Sequence, residues 1–237
     1  MRFEDVIGHE DLKNQLKNMV DGGRISHALM FTGNEGSGNL AMALAFGSYI
    51  LAQSSPDSES TQLKCDKFIH PDFYFCYPVN STKKVTGSKI LSKDFISEWR
   101  EALLENPYLS AGNWMAHLGI DNKQGIINVH QGREILQSLT LKPYESEYKL
   151  MLIWLPERMN TATANKLLKI LEEPPQKTIF LLVSQNPEQL LPTIQSRVQM
   201  VNLKPIAQPV LAKVLMDKHG IDQGQAQTIS KIAQGNY

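Results

Sequence analysis

The chain has 237 residues, with 24 Lys plus Arg against 24 Asp plus Glu, so its formal net charge is zero. Hydrophobic residues make up 42% of it and charged residues 20%, which excludes a disordered chain, a collagen-like fibre and a small disulfide-stapled module. Because there is no net positive charge, any contact with nucleic acid must come from a local patch.

Targeting and redox signals are also weak. No apolar stretch approaches the roughly 20 residues that span a bilayer. The first ten residues include acidic side chains and lack the basic start followed by an apolar segment that is typical of a signal peptide. We therefore expect a cytosolic protein. Cys65 and Cys76 form no CxxC pair and cannot alone build a zinc site or a disulfide framework, so we expect two free thiols.

The first part of the chain alternates between helical and strand patterns. Leu12, Leu16 and Met19 recur at helical spacing, and two glycines at 22–23 follow as a stop signal. The polar stretch from 53 to 62 has no periodicity. The predicted elements are a helix over 9–20, a strand over 28–32, a glycine-rich loop over 33–38, a helix over 40–52 and an exposed connection over 53–62.

The rest of the chain continues the alternation. Two strongly apolar runs suit central parallel strands, and Pro174-Pro175 closes the helix between them. The predicted elements are strands over 73–79, 126–129, 150–155, 178–184 and 198–203, and helices over 94–104, 131–139, 161–171, 210–219 and 225–233. We predict an α/β fold, a parallel sheet sandwiched by helices over 1–203, and the start of a small all-helical domain over 204–237, with a hinge at Lys204-Pro205.

A phosphate-loop pattern lies between the first predicted strand and the next helix. Gly33 and Gly38 stand five residues apart, with Gly36 between them, which is the spacing of GxxxxGK[ST]. The positions of the lysine and the hydroxyl residue are held by Asn39 and Leu40, so the main electrostatic grip on phosphate is lost. From this loop alone, a tight glycine turn and a degenerate nucleotide site are equally good interpretations.

A second stretch bears on the same question. The apolar strand after Lys149 is of the kind that ends in Asp-Glu in motor ATPases, where the two carboxylates support magnesium and orient water. Here it ends in Trp154 and Leu155, neither of which can bind a metal. We therefore predict that the chain does not turn over ATP.

Three motifs taken together resemble a known family. LLKILEEPP at 167–175, FLLVS at 180–184 and TIQSR at 193–197 are similar to the AAA+ subunits of the bacterial sliding-clamp loader of DNA polymerase III, and the segments 3–8, 24–28 and 70–72 agree with it. The resemblance runs from the N-terminus to residue 237. It implies an AAA+ core over 1–203 with a degenerate phosphate loop, and a helical lid beginning at 204.

Within that family, a damaged phosphate loop joined to an intact Ser-Arg element resembles the non-hydrolysing delta-prime class. The resemblance implies that Arg197, beside Ser196, is an arginine finger acting in trans on the ATP of a neighbouring subunit, although Val198 stands where the family has cysteine. A surface ion pair is the alternative for a lone arginine, and the TIQSR context favours the finger. It implies a replisome location on the nucleoid, with tau/gamma ATPase subunits, a delta subunit, primed DNA and, indirectly, the sliding clamp as partners.

The resemblance leaves several positions with two interpretations. Ser184 falls at the family's sensor position but is equally well read as a satisfied core residue. Possible DNA contacts, which solvated helix faces explain as well, are Asn165, Lys166, Lys169 and Arg133. The family's four-cysteine zinc knob would fall at 54–65, where Pro56, Glu59 and Gln62 stand in place of cysteines, so we expect no zinc and no productively bound ATP or magnesium.

Two alternatives remain open from the sequence. The chain could be an active AAA+ ATPase, such as a gamma/tau-like motor subunit, or a nucleotide-sensing regulator that works without a ring. Family members carry a third, helical collar domain, whereas this sequence stops at Gly235-Asn236-Tyr237 inside the segment that resembles the lid. We therefore expect a truncated piece that is monomeric or weakly associating by itself.

Overall fold

Five parallel strands form the centre of the computed structural model, which describes residues 1–87, 89–120 and 123–237. They are β1 (Ala28–Thr32), β2 (Phe73–Cys76), β3 (Lys149–Trp154), β4 (Thr178–Ser184) and β5 (Gln199–Asn202), in the order β2-β3-β4-β1-β5. The three middle strands are buried at every position. Their continuous apolar runs fit a sheet that is covered by helices on both faces.

Ten helices accompany the sheet in the described residues. They are α1 (Glu10–Asp21), α2 (Asn39–Gln53), α3 (Ser58–Asp66), α4 (Ile96–Glu105), α5 (Ala111–His117), α6 (Val129–Thr140), α7 (Thr161–Glu172), α8 (Pro192–Gln195), α9 (Gln208–His219) and α10 (Gln223–Ala233). Short 3₁₀ helices lie at Phe3–Asp5, Ser92–Phe95, Pro156–Arg158 and Pro187–Gln189. The α/β class that the sequence predicts, a parallel sheet sandwiched by helices and followed by a helical region, is the observed one.

The strand β3 shows how the sheet separates two hydrophobic cores. Leu150, Leu152 and Trp154 pack into the core that contains α2 and α4, whereas Met151 and Ile153 pack into the core that contains α6 and α7. This division follows from the period of two along a strand. The helix α2 is almost wholly buried, which explains its apolar sequence on every face.

Side-chain caps fix where the helices on the second face begin. The Asn128 side chain accepts hydrogen bonds from the backbone N–H groups of His130 and Gln131 at the start of α6. The Asn160 side chain does the same for Thr163 at the start of α7. Such caps satisfy amide donors that have no partner inside the helix.

The buried carboxylate of Asp72 ties the start of β2 to the segment that leads into β3. It accepts hydrogen bonds from the backbone N–H groups of Tyr144 at 2.6 Å, Glu145 at 2.8 Å and Ser146 at 3.0 Å. The aspartate of the His-Pro-Asp segment is therefore a structural residue that holds neighbouring strands of the sheet in place.

The predicted exposed connection over 53–62 is wrong in its second half, because α3 begins at Ser58. The Asp57 carboxylate caps that helix by accepting from the N–H of Ser60, and Thr61 and Cys65 are buried. The connection looked featureless because this short helix buries only one narrow stripe, and tertiary packing against α2 stabilises it.

Two predicted strands are also corrected. The strand predicted over 73–79 ends at Cys76, and Pro78 interrupts it before Val79 makes a single antiparallel bridge with Ile126. The strand predicted over 126–129 is reduced to isolated bridges at Ile126 and Ile127, since α6 already begins at Val129.

The C-terminal region is helical, as predicted. The helices α9 and α10 pack on each other, and Leu211 of α9 reaches the main core. The division into domains at 203/204 stays a prediction. In the part of the chain that the structure describes, no helix combines the length and apolarity needed to cross a membrane.

Candidate functional site

The glycine-rich loop connects the carboxyl end of β1 to the first turn of α2. Gly36 and Gly38 have positive φ angles of 74° and 90°, so this path favours glycine at both positions. The N-terminus of a long helix and the free amides of such a loop are what a phosphate site uses. The loop places these two glycines directly ahead of the N-terminus of α2.

The side chain at the lysine position of the loop is turned inward. Asn39 is 6% exposed, and its Nδ2 lies 3.4 Å from the carbonyl oxygen of Gly33 and 3.5 Å from that of Ser184. Its Oδ1 accepts from the N–H of Leu40 at 2.9 Å. The structure thus brings Gly33, Asn39 and Ser184 together, with an uncharged amide that bridges the loop to the end of β4.

The outer face of the loop is covered by side chains of the same chain. The Tyr108 ring lies against Gly38, where an added Cβ would stand 2.9 Å from Cε1, and its hydroxyl accepts from the N–H of Ile7 at 2.7 Å. Asn236 contacts Gly36, and the N–H of Tyr237 donates to the Gly36 carbonyl at 3.2 Å. A nucleotide on this loop would have to displace these contacts.

The loop also contains a buried serine hydroxyl. Ser37 Oγ has no hydrogen-bond partner within the part of the chain that the structure describes, whereas the carbonyl of Ser37 lies 2.9 Å from Nε2 of His9. Burial lowers the pKa of His9, since the charged ring is poorly solvated there. A neutral histidine adds no positive charge to the loop.

The end of β3 is filled by an aromatic cluster instead of carboxylates. Trp154 is 1% exposed, and its ring centroid lies 5.2 Å from that of Trp99, which in turn stacks on Tyr77 at 4.1 Å. Leu155, the next residue, is buried with a φ of 54°. Neither side chain can hold a magnesium ion.

The first carboxylate after this strand is that of Glu157, which no sequence motif singled out. It accepts hydrogen bonds from Ser184 Oγ at 2.9 Å, the N–H of Gln185 at 2.9 Å and the N–H of Asn186 at 3.1 Å. Glu157 therefore joins the ends of β3 and β4. Ser184 is fully buried with its hydroxyl satisfied, which agrees with the core interpretation of that residue.

Arg197 lies just beyond α8 and is partly exposed. Its Nη2 forms an ion pair with Glu172 of α7 at 2.8 Å. Its Nη1 donates to the carbonyl of Thr193 at 2.8 Å and contacts Ser196 Oγ at 3.3 Å. Glu172 was not singled out in the sequence, although it lies in the LEEPP element.

The candidate DNA contacts lie on two helices that pack together. Arg133 on α6 and Lys169 on α7 are exposed, and Lys166 extends across α6 so that its Nζ is 3.4 Å from the carbonyl of Val129. Phosphate contact by these residues stays a prediction, beside their interpretation as solvated helix faces.

The region predicted to lack a zinc knob is occupied by α3. Glu59 is exposed, Gln62 donates to Asp66 at 2.8 Å, and Cys65 is buried. Burial raises the pKa of Cys65 to about 12, so its thiol does not ionise near neutral pH. Within residues 1–87, 89–120 and 123–237 we find no cluster of three or more His, Cys, Asp or Glu side chains suited to a metal.

Comparison with known proteins gives a consistent family. A sequence model of the family described as "DNA polymerase III, delta subunit" matches residues 8–207. The gamma/tau subunit of DNA polymerase III from Mycobacterium tuberculosis is 30% identical over 82% of this chain and 27% of its own length. The delta' subunit from Bacillus subtilis is 26% identical over 86% of this chain and 50% of its own length.

A solved structure shares the fold. A mutant of RuvB from Thermotoga maritima superposes with a TM-score of 0.58 at 13% identity, covering 99% of this chain and 60% of that one. At this identity the likeness concerns the fold alone. The chain spans half or less of the length of the two sequence relatives.

Proposed function

The chain belongs to the DNA polymerase III delta subunit family, and from this premise we propose that it is a non-hydrolysing, delta-prime-like subunit of the sliding-clamp loader. In this role it assembles with ATP-hydrolysing gamma/tau subunits and supplies Arg197 to the ATP site of a neighbour. Relatives in the comparison carry the names gamma/tau and delta'. The DNA polymerase III family is therefore the same whether or not this chain hydrolyses ATP itself.

The observation that carries the proposal is that the key side chains in the loop and at the end of β3 are uncharged. Hydrolysis needs a cation on the phosphates and carboxylates for magnesium and water. Asn39 and Trp154 hold those positions as buried, neutral side chains that are engaged within the fold. The residues present do not fit magnesium triphosphate, and we propose that the loop has kept its backbone as scaffold only.

Arg197 is chemically suited to act on another subunit's nucleotide. Its guanidinium is permanently charged and planar, so it can contact two oxygens of a phosphoryl group that is gaining charge in the transition state. In other NTPases, such fingers accelerate the reaction by about 10³ to 10⁵. The side chain is 36% exposed, so a neighbouring subunit can reach it without unfolding this one.

The remaining partners follow from the same proposal. Primed DNA would contact the complex, with Arg133, Lys166 and Lys169 as candidate phosphate contacts. The delta subunit would be a further neighbour, and the sliding clamp an indirect one. The protein would then work at the replisome on the nucleoid, with neither zinc nor bound ATP required in this chain.

The test uses the full-length protein reconstituted with the gamma/tau and delta subunits of its organism. Arg197→Ala should lower DNA-stimulated ATP hydrolysis at saturating ATP by at least about 100-fold if every active site depends on this finger. If only one active site receives the finger, the total rate should fall by the share that this site contributes. Arg197→Lys, which keeps the charge but loses the planar fork, should rescue only part of the rate. Full activity of an assembled alanine variant would refute the proposal.

The 30% identity to a gamma/tau subunit favours one alternative, an ATP-hydrolysing subunit that uses different residues. The purified chain would then hydrolyse ATP above background and lose that activity in Asn39→Ala. A nucleotide-sensing regulator would instead bind nucleotide at micromolar affinity and fail to associate with the other clamp-loader subunits. Both outcomes differ from the one we expect, which is no turnover and stable association.

A further inference from the structure

The ion pair between Glu172 and Arg197 joins two motifs that are far apart in the sequence. Glu172 is the last residue of α7, and Arg197 follows α8 by two residues. Their charged atoms lie 2.8 Å apart. The acid of LEEPP therefore meets the arginine of TIQSR directly, on the same face of the molecule.

The guanidinium is held from two sides. Nη2 meets the carboxylate of Glu172, whereas Nη1 donates to the carbonyl of Thr193 at 2.8 Å and contacts Ser196 Oγ at 3.3 Å. A guanidinium has five N–H donors, so these three contacts leave N–H groups that can still bind an incoming phosphate. The contacts fix the direction of the side chain while they leave it chemically available.

The turn that carries these contacts is itself held in place. The Gln195 side chain donates to the carbonyls of Pro187 at 2.9 Å and Leu190 at 3.1 Å. The preceding segment is held by Glu157 through the N–H groups of Gln185 and Asn186. Side-chain hydrogen bonds therefore brace the backbone on the Thr193 side, and the carboxylate of Glu172 contacts the guanidinium from the opposite side.

We propose that Glu172 is a positioning residue for Arg197. It holds the guanidinium in one orientation before a neighbouring subunit presents its ATP, so that less side-chain freedom is lost when the finger engages. This inference rests on the proposed function of Arg197. It assigns Glu172 no contact with the nucleotide.

The size of the effect follows from the exposure of the pair. The Arg197 and Glu172 side chains are 36% and 44% exposed, so water and salt weaken their attraction, as in other surface pairs. Loss of such a restraint corresponds to about a 2- to 5-fold change in rate. Because the restraint acts on the transition state, the change should appear in kcat and not in the KM for ATP.

The test compares Glu172→Gln with Glu173→Gln in the reconstituted complex. Both substitutions remove one negative charge at the end of α7, but Glu173 forms no ion pair with Arg197 among the described residues. The Arg197-dependent part of kcat is the difference between wild type and Arg197→Ala, and we expect Glu172→Gln to lower it about 2- to 5-fold at low salt, with unchanged KM, assembly and melting temperature. Glu173→Gln should behave as wild type.

Two further readouts exclude a merely structural role. The difference between wild type and Glu172→Gln should shrink as ionic strength rises, since salt screens the exposed pair. The double variant Glu172→Gln/Arg197→Ala should be no slower than Arg197→Ala alone, since the glutamate has nothing left to orient.

The outcomes separate this inference from the proposed function. A slow Arg197→Ala together with a Glu172→Gln that is unchanged, or faster than wild type, would overturn the positioning role and leave the finger intact. A rate loss that is insensitive to salt, or that adds to the loss in Arg197→Ala, would also overturn it. A fully active Arg197→Ala would overturn both proposals at once.

Discussion

Replacing Trp154 with aspartate would restore the residue type that motor ATPases carry at this strand end. We expect Trp154→Asp to destabilise the protein strongly and not to create a magnesium ligand, because the side chain is 1% exposed and its ring centroid lies 5.2 Å from that of Trp99. Truncating a buried tryptophan costs about 3–5 kcal/mol. Burying a carboxyl group there adds about 2 kcal/mol or more.

The sum, at least about 5 kcal/mol, is comparable to the whole stability of many domains, which is about 5–15 kcal/mol. For a chain of 237 residues it corresponds to a fall in melting temperature of roughly 10–20 °C. The deficit should be smaller in acid, because burial raises the pKa of the introduced carboxyl and the neutral form is less costly to bury.

Urea unfolding followed by near-ultraviolet circular dichroism measures this directly. Trp154→Phe is the matched control, since it keeps an aromatic ring in the cluster and should cost only about 1–2 kcal/mol. If Trp154→Asp folds with a free energy of unfolding within about 2 kcal/mol of wild type, the position has room for a solvated carboxylate. Our reading of this strand end as core would then be wrong.

Two further predictions concern titratable groups. Burial lowers the pKa of His70 against the opposing effect of Asp72 and Glu145, and its Nδ1 accepts from the N–H of Asp72 at 3.1 Å. Because the unfolded chain takes up the proton first, the melting temperature should fall from about pH 7 to about pH 5 more steeply in wild type than in His70→Asn. Equal slopes in the two proteins would contradict this. Burial raises the pKa values of Cys65 and Cys76 to about 12, so a thiol reagent at neutral pH should modify both at least about 100-fold faster in urea than in the native protein, and rapid native modification would contradict their burial.

Local sequence patterns predicted the centre of the fold because its strands are continuously apolar. The strands β1 and β4 begin and end at the predicted residues, and β3 is shifted by one residue, to Lys149–Trp154 from the predicted 150–155. A buried parallel strand needs only local hydrophobicity to be recognised. The helix α2 was equally clear, since its burial makes it apolar on all faces.

The elements that were missed depend on partners distant in sequence. The helix α3 is stabilised by a cap at Asp57 and by packing against α2, and α5 is a short helix whose main anchor is the buried Trp114. Neither of these two short helices has a run of apolar residues at helical spacing that is long enough to predict it from the sequence. The interruption after Cys76 could have been predicted from Pro78, which cannot donate to a sheet.

The candidate site was predictable in its residue types but not in its contacts. The neutral character of Asn39 and Trp154 is visible in the sequence, because the expected charged residues are simply replaced. That Tyr108 covers the glycine loop, or that Glu157 satisfies Ser184, depends on contacts across the fold. The pairing of Glu172 with Arg197 likewise joins two motifs that could only be read separately.

The central claim is that this chain acts on a neighbour's ATP and not on its own. The most direct measurement is the ATP hydrolysis rate of the reconstituted clamp loader when only this subunit is varied, with Asn39→Ala altering its own loop and Arg197→Ala altering the finger. The account predicts a large loss of rate with Arg197→Ala and a rate close to wild type with Asn39→Ala. The reverse pattern, a loss only when Asn39 is changed, would contradict it.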